Sequence, residues 1–327
     1  MKSNCIAVQK STGAGKVGQF FKNVSPFNTR DEMPKIQFFI KKLLGYLLAN
    51  LGSMVLGTAV IVLMHYPLGL DPLKGEAFGG YAGQLFTALN YLLPCLLVLL
   101  YWRLFEKKKL SEMFVKKGVG CYLIGLLIGA VLAAACIASV VLTGTVRVNG
   151  LTAHPDILSI LLSGLMFIFQ SAHEELLCRG VAFSSLKNKL GTPAAFAVST
   201  AFFMVPHISS MQSSGTAVEA VGMLNNLLIS AIFLLVMLLT DSILASCGLH
   251  FIWNFALANI FGLTVSGAGS LEYTSVINAE SVGRNVVNGS SFGIEGSIVT
   301  TFFYAVCAAV LFVILRRRSS AETERKC

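Results

Sequence analysis

Eight long apolar runs limit what this chain can fold into more than any other feature. They lie at about 43–64, 80–102, 119–143, 157–183, 192–210, 219–240, 242–263 and 297–315, each near the roughly 17–25 residues that cross a bilayer as a helix. Lipid offers no hydrogen-bond partners, so a spanning segment must satisfy its own backbone, and these runs are expected to be α-helices. Composition agrees: 55% of the 327 residues are hydrophobic and only 13% are charged, against about 25% charged in ordinary soluble domains. The expected fold is an all-α polytopic membrane protein with about eight transmembrane helices. The fifth and seventh runs are the least apolar and carry Ser, Thr, His and Asn, as suits helices enclosed by other helices.

The net charge of +9 could suggest a nucleic-acid partner. Its distribution argues against one, because the basic residues sit beside the runs and no aromatic-interleaved patch accompanies them. With the N-terminus in the cytoplasm, the inner segments hold 22 of the 25 Lys and Arg residues, and only Lys74, Arg147 and Arg284 remain outside. The positive-inside rule therefore predicts both termini in the cytoplasm and an even number of spans. The expected organisation is a cytoplasmic, disordered tail at 1–34, a transmembrane domain at 35–318 with its motif-bearing core at 157–263, and a short cytoplasmic tail at 319–327. The expected location is the cell membrane.

Several local patterns carry no function. Ser11 to Lys16 has glycines and a lysine but not the phosphate-loop spacing, and no strand precedes it. The eight cysteines show no C-x-x-C pair, and most fall in apolar runs, where a thiol is a small hydrophobe. The one long connection, 264–296, contains the sequon Asn288-Gly289-Ser290, for which the non-glycosylated reading is preferred. No internal repeat is evident.

The chemistry concentrates in the fourth run. Glu174 and Glu175 are the only acids well inside a span, and a charge at the bilayer centre costs at least about 2.5–3.5 kcal/mol, which makes such acids functional candidates. Glu175 and Arg179 are four residues apart and can pair along one helix face. Glu174 is turned by about 100° from Glu175 and is free to face another group. His207 lies in the fifth span, and His250 and Asn254 share a face of the seventh. His173, next to Glu174, is expected to turn to another helix face, and it takes no part in the chemistry because the H-E-x-x-H zinc motif it begins has Leu177 in place of the second histidine.

One free carboxylate, two imidazoles and an amide suit hydrolysis. A poorly hydrated carboxylate can take a proton from water. Imidazoles can share the proton transfer or, were zinc bound, His207 and His250 would be its ligands. An amide can stabilise an oxyanion. Glu174-Glu175-x-x-x-Arg179, Phe203-x-x-x-His207 and His250-x-x-x-Asn254, in that order on successive spans, resemble the CPBP family. That group comprises intramembrane proteases related to the type II CAAX prenyl endopeptidase and to the Abi proteins of bacteriocin processing and self-immunity. The resemblance implies that Glu174 activates water with His207, and that His250 and Asn254 hold the substrate carbonyl and its oxyanion. Glu175 and Arg179 would then support the site. Cys178 stands where relatives often carry a bulky aromatic, a difference expected to act on substrate preference.

The favoured reading is an intramembrane endopeptidase acting on a membrane-associated protein or peptide, with the bilayer as its medium and no nucleic acid involved. Two alternatives stand beside it. One is a non-catalytic immunity or scaffold protein with the same fold. The other is a proton-coupled transporter using Glu174 and Glu175 as a relay, which would call for inverted repeats that the sequence lacks. G-x-S-G and G-x-G-D protease motifs are both absent.

Overall fold

The computed structural model describes residues 13–28, 30–116, 118–212, 214–267 and 275–324. Residues 1–12 and 325–327 of the two expected tails lie outside these, as do Lys117 and Glu272. Among the described residues eight helices are long and apolar enough to cross a membrane, one for each predicted run. The chain is a multi-pass helical membrane protein.

The helices are α1 (Gly13–Val24), α2 (Lys35–His65), α3 (Gly80–Tyr101), α4 (Val119–Leu142), α5 (Ile157–Glu175), α6 (Ser184–Leu190), α7 (Thr192–Met211), α8 (Thr216–Thr240), α9 (Ile243–Phe255) and α10 (Ile298–Glu324). Within the segment expected to be a disordered tail, α1 places Val17, Phe20, Phe21 and Val24 on one side and is tied to α2 by the Asn23 amide donating to Gln37 (2.9 Å). Helices α5 and α6 form one continuous span, joined by a π-helical stretch, Leu176–Phe183.

Close crossing of α4 and α9 is built on glycine. A methyl group on Gly125 would overlap the carbonyl of Ala245, one on Gly248 would overlap the carbonyl of Tyr122, and one on Gly129 would lie 2.7 Å from the Leu249 oxygen. Gly125 and Gly129 are four apart, so both face the partner, the small-xxx-small logic by which membrane helices approach without a hydrophobic driving force. This crossing sets the position of α9, and with it His250 and Asn254.

The two ends of the bundle differ in charge. At one end Lys42 pairs with Glu106 (2.6 Å), Lys41 with Asp31 (2.6 Å) and Lys116 with Asp241 (2.7 Å). Lys189 there donates to the Met33 carbonyl (2.7 Å), drawing the chain before α2 against the end of α6. At the other end β1 (Val146–Leu151) and β2 (Ile277–Ser281) pair antiparallel, from Val146 opposite Ser281 to Leu151 opposite Ile277, with a bulge between Val148 and Leu151. Asn288 of the sequon is fully buried, and its side-chain amide donates to the carbonyls of Thr145, Val282 and Gly283. That amide knits the loop together.

Candidate active site

Each candidate side chain reaches the site through a local feature of its helix. Asp156 caps α5 by accepting from the Ser159 N–H (3.0 Å), which stabilises the helix start. At the other end the π-helical widening carries Cys178, Arg179 and Gly180, and such single widenings recur at functional sites. Within α7, Pro206 removes one backbone donor, and the next residue, His207, donates from Nδ1 to the Phe203 carbonyl (2.8 Å). A carbonyl can only accept, so Nδ1 carries the proton and Nε2 is left as the free ring nitrogen.

Glu175 and Arg179 are both fully buried and pair at 3.1 Å, as the i,i+4 spacing predicted. The guanidinium also donates to the Ser230 carbonyl (3.2 Å) and hydroxyl (3.0 Å), with Thr200 behind Ser230 at 2.8 Å. It lies over the rings of Phe203 (4.7 Å) and Phe233 (5.0 Å), an arrangement suited to the planar, weakly hydrated guanidinium.

His250 joins the two carboxylates. Its Nδ1 donates to the same Glu175 oxygen that Arg179 uses (3.1 Å), and its Nε2 lies 3.9 Å from Glu174 Oε2. Its ring stacks on Phe233, with centroids 4.8 Å apart. Glu175 thus fixes the tautomer and plane of a candidate catalytic histidine, a link the sequence did not reveal. The Glu174 side chain is 26% exposed while that of Glu175 is closed off. Their division into one open acid and one supporting acid is therefore a difference of burial.

Gln170, four residues before Glu174, was not singled out from the sequence. Its amide donates to Glu174 Oε1 (2.8 Å) and its carbonyl accepts from Asn254 (3.1 Å). The helical period alone could have found it, since Gln170 and Glu174 share a face.

Two cavities meet at these groups. One, about 260 Å³, is lined by Glu174, His173 and His207 together with Tyr46 and Asn50 of α2. The other, about 190 Å³, is lined by Gln170, His250, Asn254 and Ser266. Tyr91 and His207 border both. Glu174 thus lines the first lobe of this paired chamber and His250 and Asn254 the second, with His207 on both, although His207 makes no direct bond to Glu174. His173 lines the first lobe too, contrary to the expectation that it turns to another face. Cys178 lines the first lobe opposite Tyr46, which stacks on Phe202 (3.8 Å between centroids), so α2 supplies the aromatic wall that residue 178 does not.

A third acid stands at the rim. Glu295, from the long connection, accepts from Trp253 Nε1 (3.1 Å) and from the Ser266 hydroxyl (3.0 Å) and N–H. Burial pushes its carboxyl above the usual range, against the pull of these bonds and of nearby His207. Nothing in the composition of that long connection, rich in Gly, Ser and Asn, marks it.

The donor set does not fit a zinc site. Among the described residues no three His, Cys, Asp or Glu side chains gather closely enough to hold a metal ion.

The fold and site define a class: a multi-pass helical membrane protein whose spans enclose a chamber of one open carboxylate, imidazoles and an amide. Residues 156–256, from the cap of α5 through α9, match the family model described as type II CAAX prenyl endopeptidase Rce1-like, in agreement with the resemblance to the CPBP group. That family is one of intramembrane CAAX-type proteases. No curated protein and no solved structure matches the chain.

Proposed function

We propose that the chamber hydrolyses a peptide bond in a membrane-associated protein or peptide, with Glu174 as the base. The observation that carries the reading is the contrast between the two acids. Glu175 is closed off in an ion pair with Arg179, while the Glu174 side chain is 26% exposed and lines the chamber.

Glu174 takes a proton from a water held between it and the imidazoles, and the resulting hydroxide attacks the scissile carbonyl. General-base assistance of this kind is worth about 10²–10⁴ in rate. The oxyanion that forms lies near Asn254, whose amide would hold its charge, and near His250, which would donate from Nε2 as the imidazolium while Nδ1 stays on Glu175. Removing one such donor typically costs about 10²–10³ in kcat. The proton on Glu174 then passes to the leaving amine. Both termini face the cytoplasm in this reading, which puts the paired lysines of α2 on the inner side.

Glu174→Gln keeps the shape of the side chain and removes the base. Comparative proteomics of cells carrying wild type or this variant should show a membrane-associated precursor accumulating in the variant. Wild-type phenotype and processing in Glu174→Gln cells would favour the non-catalytic scaffold or immunity reading instead. The precursor itself would decide between CAAX-type and bacteriocin or other peptide-precursor processing.

A further inference from the structure

His173 is a buried imidazole that the chemistry above does not use. It is 6% exposed, lines the larger lobe, and its Nε2 has no hydrogen-bond partner. An unsatisfied buried polar atom costs about 1–3 kcal/mol, so a group kept this way next to the candidate base calls for a ligand. The lobe suits a peptide in two respects. Its walls include Met54, Leu177, Phe202 and Pro206, an apolar lining for a hydrophobic side chain. Polar groups occur at intervals, with Asn50 on α2 and His173 on α5. The second lobe, lined by Gln170, Asn254 and Ser266, is the more polar, and the two meet at Tyr91 and His207.

We propose that the His173 lobe is a substrate subsite: it receives a hydrophobic side chain beside the scissile bond, and His173 Nε2 hydrogen-bonds the peptide backbone of that residue. The subsite rests on the peptidase reading and refines it. In this arrangement an extended peptide crosses Tyr91 and His207, with the apolar residue in the larger lobe and its polar continuation in the smaller. His173 is a binding residue, separate from the proton transfer at Glu174. The family-matched segment does not contain the opposite wall, because Tyr46, Asn50 and Met54 come from α2. Side-chain preference is thus set partly outside the shared motifs.

The test uses the full-length protein in lipid nanodiscs, with a farnesylated fluorogenic CAAX peptide as the probe. His173→Phe keeps the ring and removes the nitrogen, and should raise KM roughly five- to tenfold while leaving kcat within about twofold, as expected for one lost hydrogen bond to bound substrate. His173→Gln, which retains an N–H donor, should recover much of that loss. Asn50→Leu probes the opposite wall without touching α5 and should also raise KM. A fall in kcat at unchanged KM, or no change in either variant, overturns the subsite while leaving the peptidase reading in place. A wild-type protein that cleaves the probe no faster than Glu174→Gln, and a Glu174→Gln protein that does not bind it, overturn both.

Discussion

Glu175 holds Arg179 and His250 through a single oxygen, at 3.1 Å to each. One buried carboxylate therefore neutralises the guanidinium and orients the imidazole that approaches Glu174. Loss of Glu175 would act twice, once on stability and once on catalysis.

These two effects separate in a mutant cycle. Glu175→Gln leaves Arg179 as an uncompensated buried charge and should destabilise the protein by about 3–5 kcal/mol. Arg179→Met should do similar harm by stranding the carboxylate. The double variant removes both charges and should regain much of the stability, but not activity, because a neutral amide holds the His250 N–H more weakly than the carboxylate does. Thermal unfolding in detergent reads the first effect and probe cleavage the second. A double variant as unstable as the sum of the two singles would contradict the pairing.

Gln170 should matter for turnover more than for binding. Gln170→Leu frees both Glu174 Oε1 and the Asn254 amide, each of which loses about 1 kcal/mol of restraint, so kcat should drop roughly tenfold or more. Steady-state kinetics on the farnesylated probe check this. Unaltered kcat would mean that the bridge is incidental to the chemistry.

The α4–α9 crossing makes a stability prediction. Gly248→Ala would push a methyl into the Tyr122 carbonyl and should cost about 1–3 kcal/mol as overpacking, with lost activity as α9 shifts. Gly120→Ala, on the same helix as Gly125 but with open space around it, should be neutral or slightly stabilising. Equal melting temperatures for the two variants would argue against the tight crossing.

Stability should depend on pH through Glu295 and Asp31, with opposite signs. For Glu295, burial raises the folded-state value above the ordinary carboxyl range. Its contribution is therefore full below the unfolded value and declines as pH rises through the folded one. Glu295→Gln should lack that decline, so the stability of wild type relative to the variant should fall as pH increases from the ordinary Glu range and then level off. For Asp31, burial acts upward but is outweighed by Lys41, Lys42 and Lys108, and its value lies below the ordinary one. It stabilises above the unfolded value, and that contribution disappears as pH falls through the folded one. Melting curves across pH for wild type, Glu295→Gln and Asp31→Asn distinguish the two slopes.

Orientation is open to chemical labelling. In a cysteine-free background, Arg284→Cys should react with an impermeant thiol reagent added to intact cells, and Lys108→Cys should not. The reverse pattern would invert the proposed topology.

Much of the site was legible because its signals are local. The Glu175–Arg179 pair follows from a four-residue spacing, and His250 and Asn254 share a helix face for the same reason. Gln170 was equally accessible by spacing, but a neutral amide draws no notice until its partners are seen. His173 was placed on another face because neighbouring helical residues are turned by about 100°, but the lobe that Glu174 lines is wide enough to reach His173 as well. Glu295 was invisible, because a loop acid reads as solvated until the chain folds it back against Trp253 and Ser266.

The sequence by itself determined which segments cross the membrane, how basic charge is divided between the two ends, and which few polar residues must be sheltered inside. Hydropathy and helical period are properties of short stretches and need no partner. Tertiary structure alone decided that one imidazole spans two carboxylates, that α2 walls the chamber, and that a loop acid closes its rim. Those relations depend on how closely helices approach, and that distance is set by glycines on one helix meeting backbone on another. A side chain 75 positions away in sequence, as His250 is from Glu175, becomes a neighbour only when that approach is made.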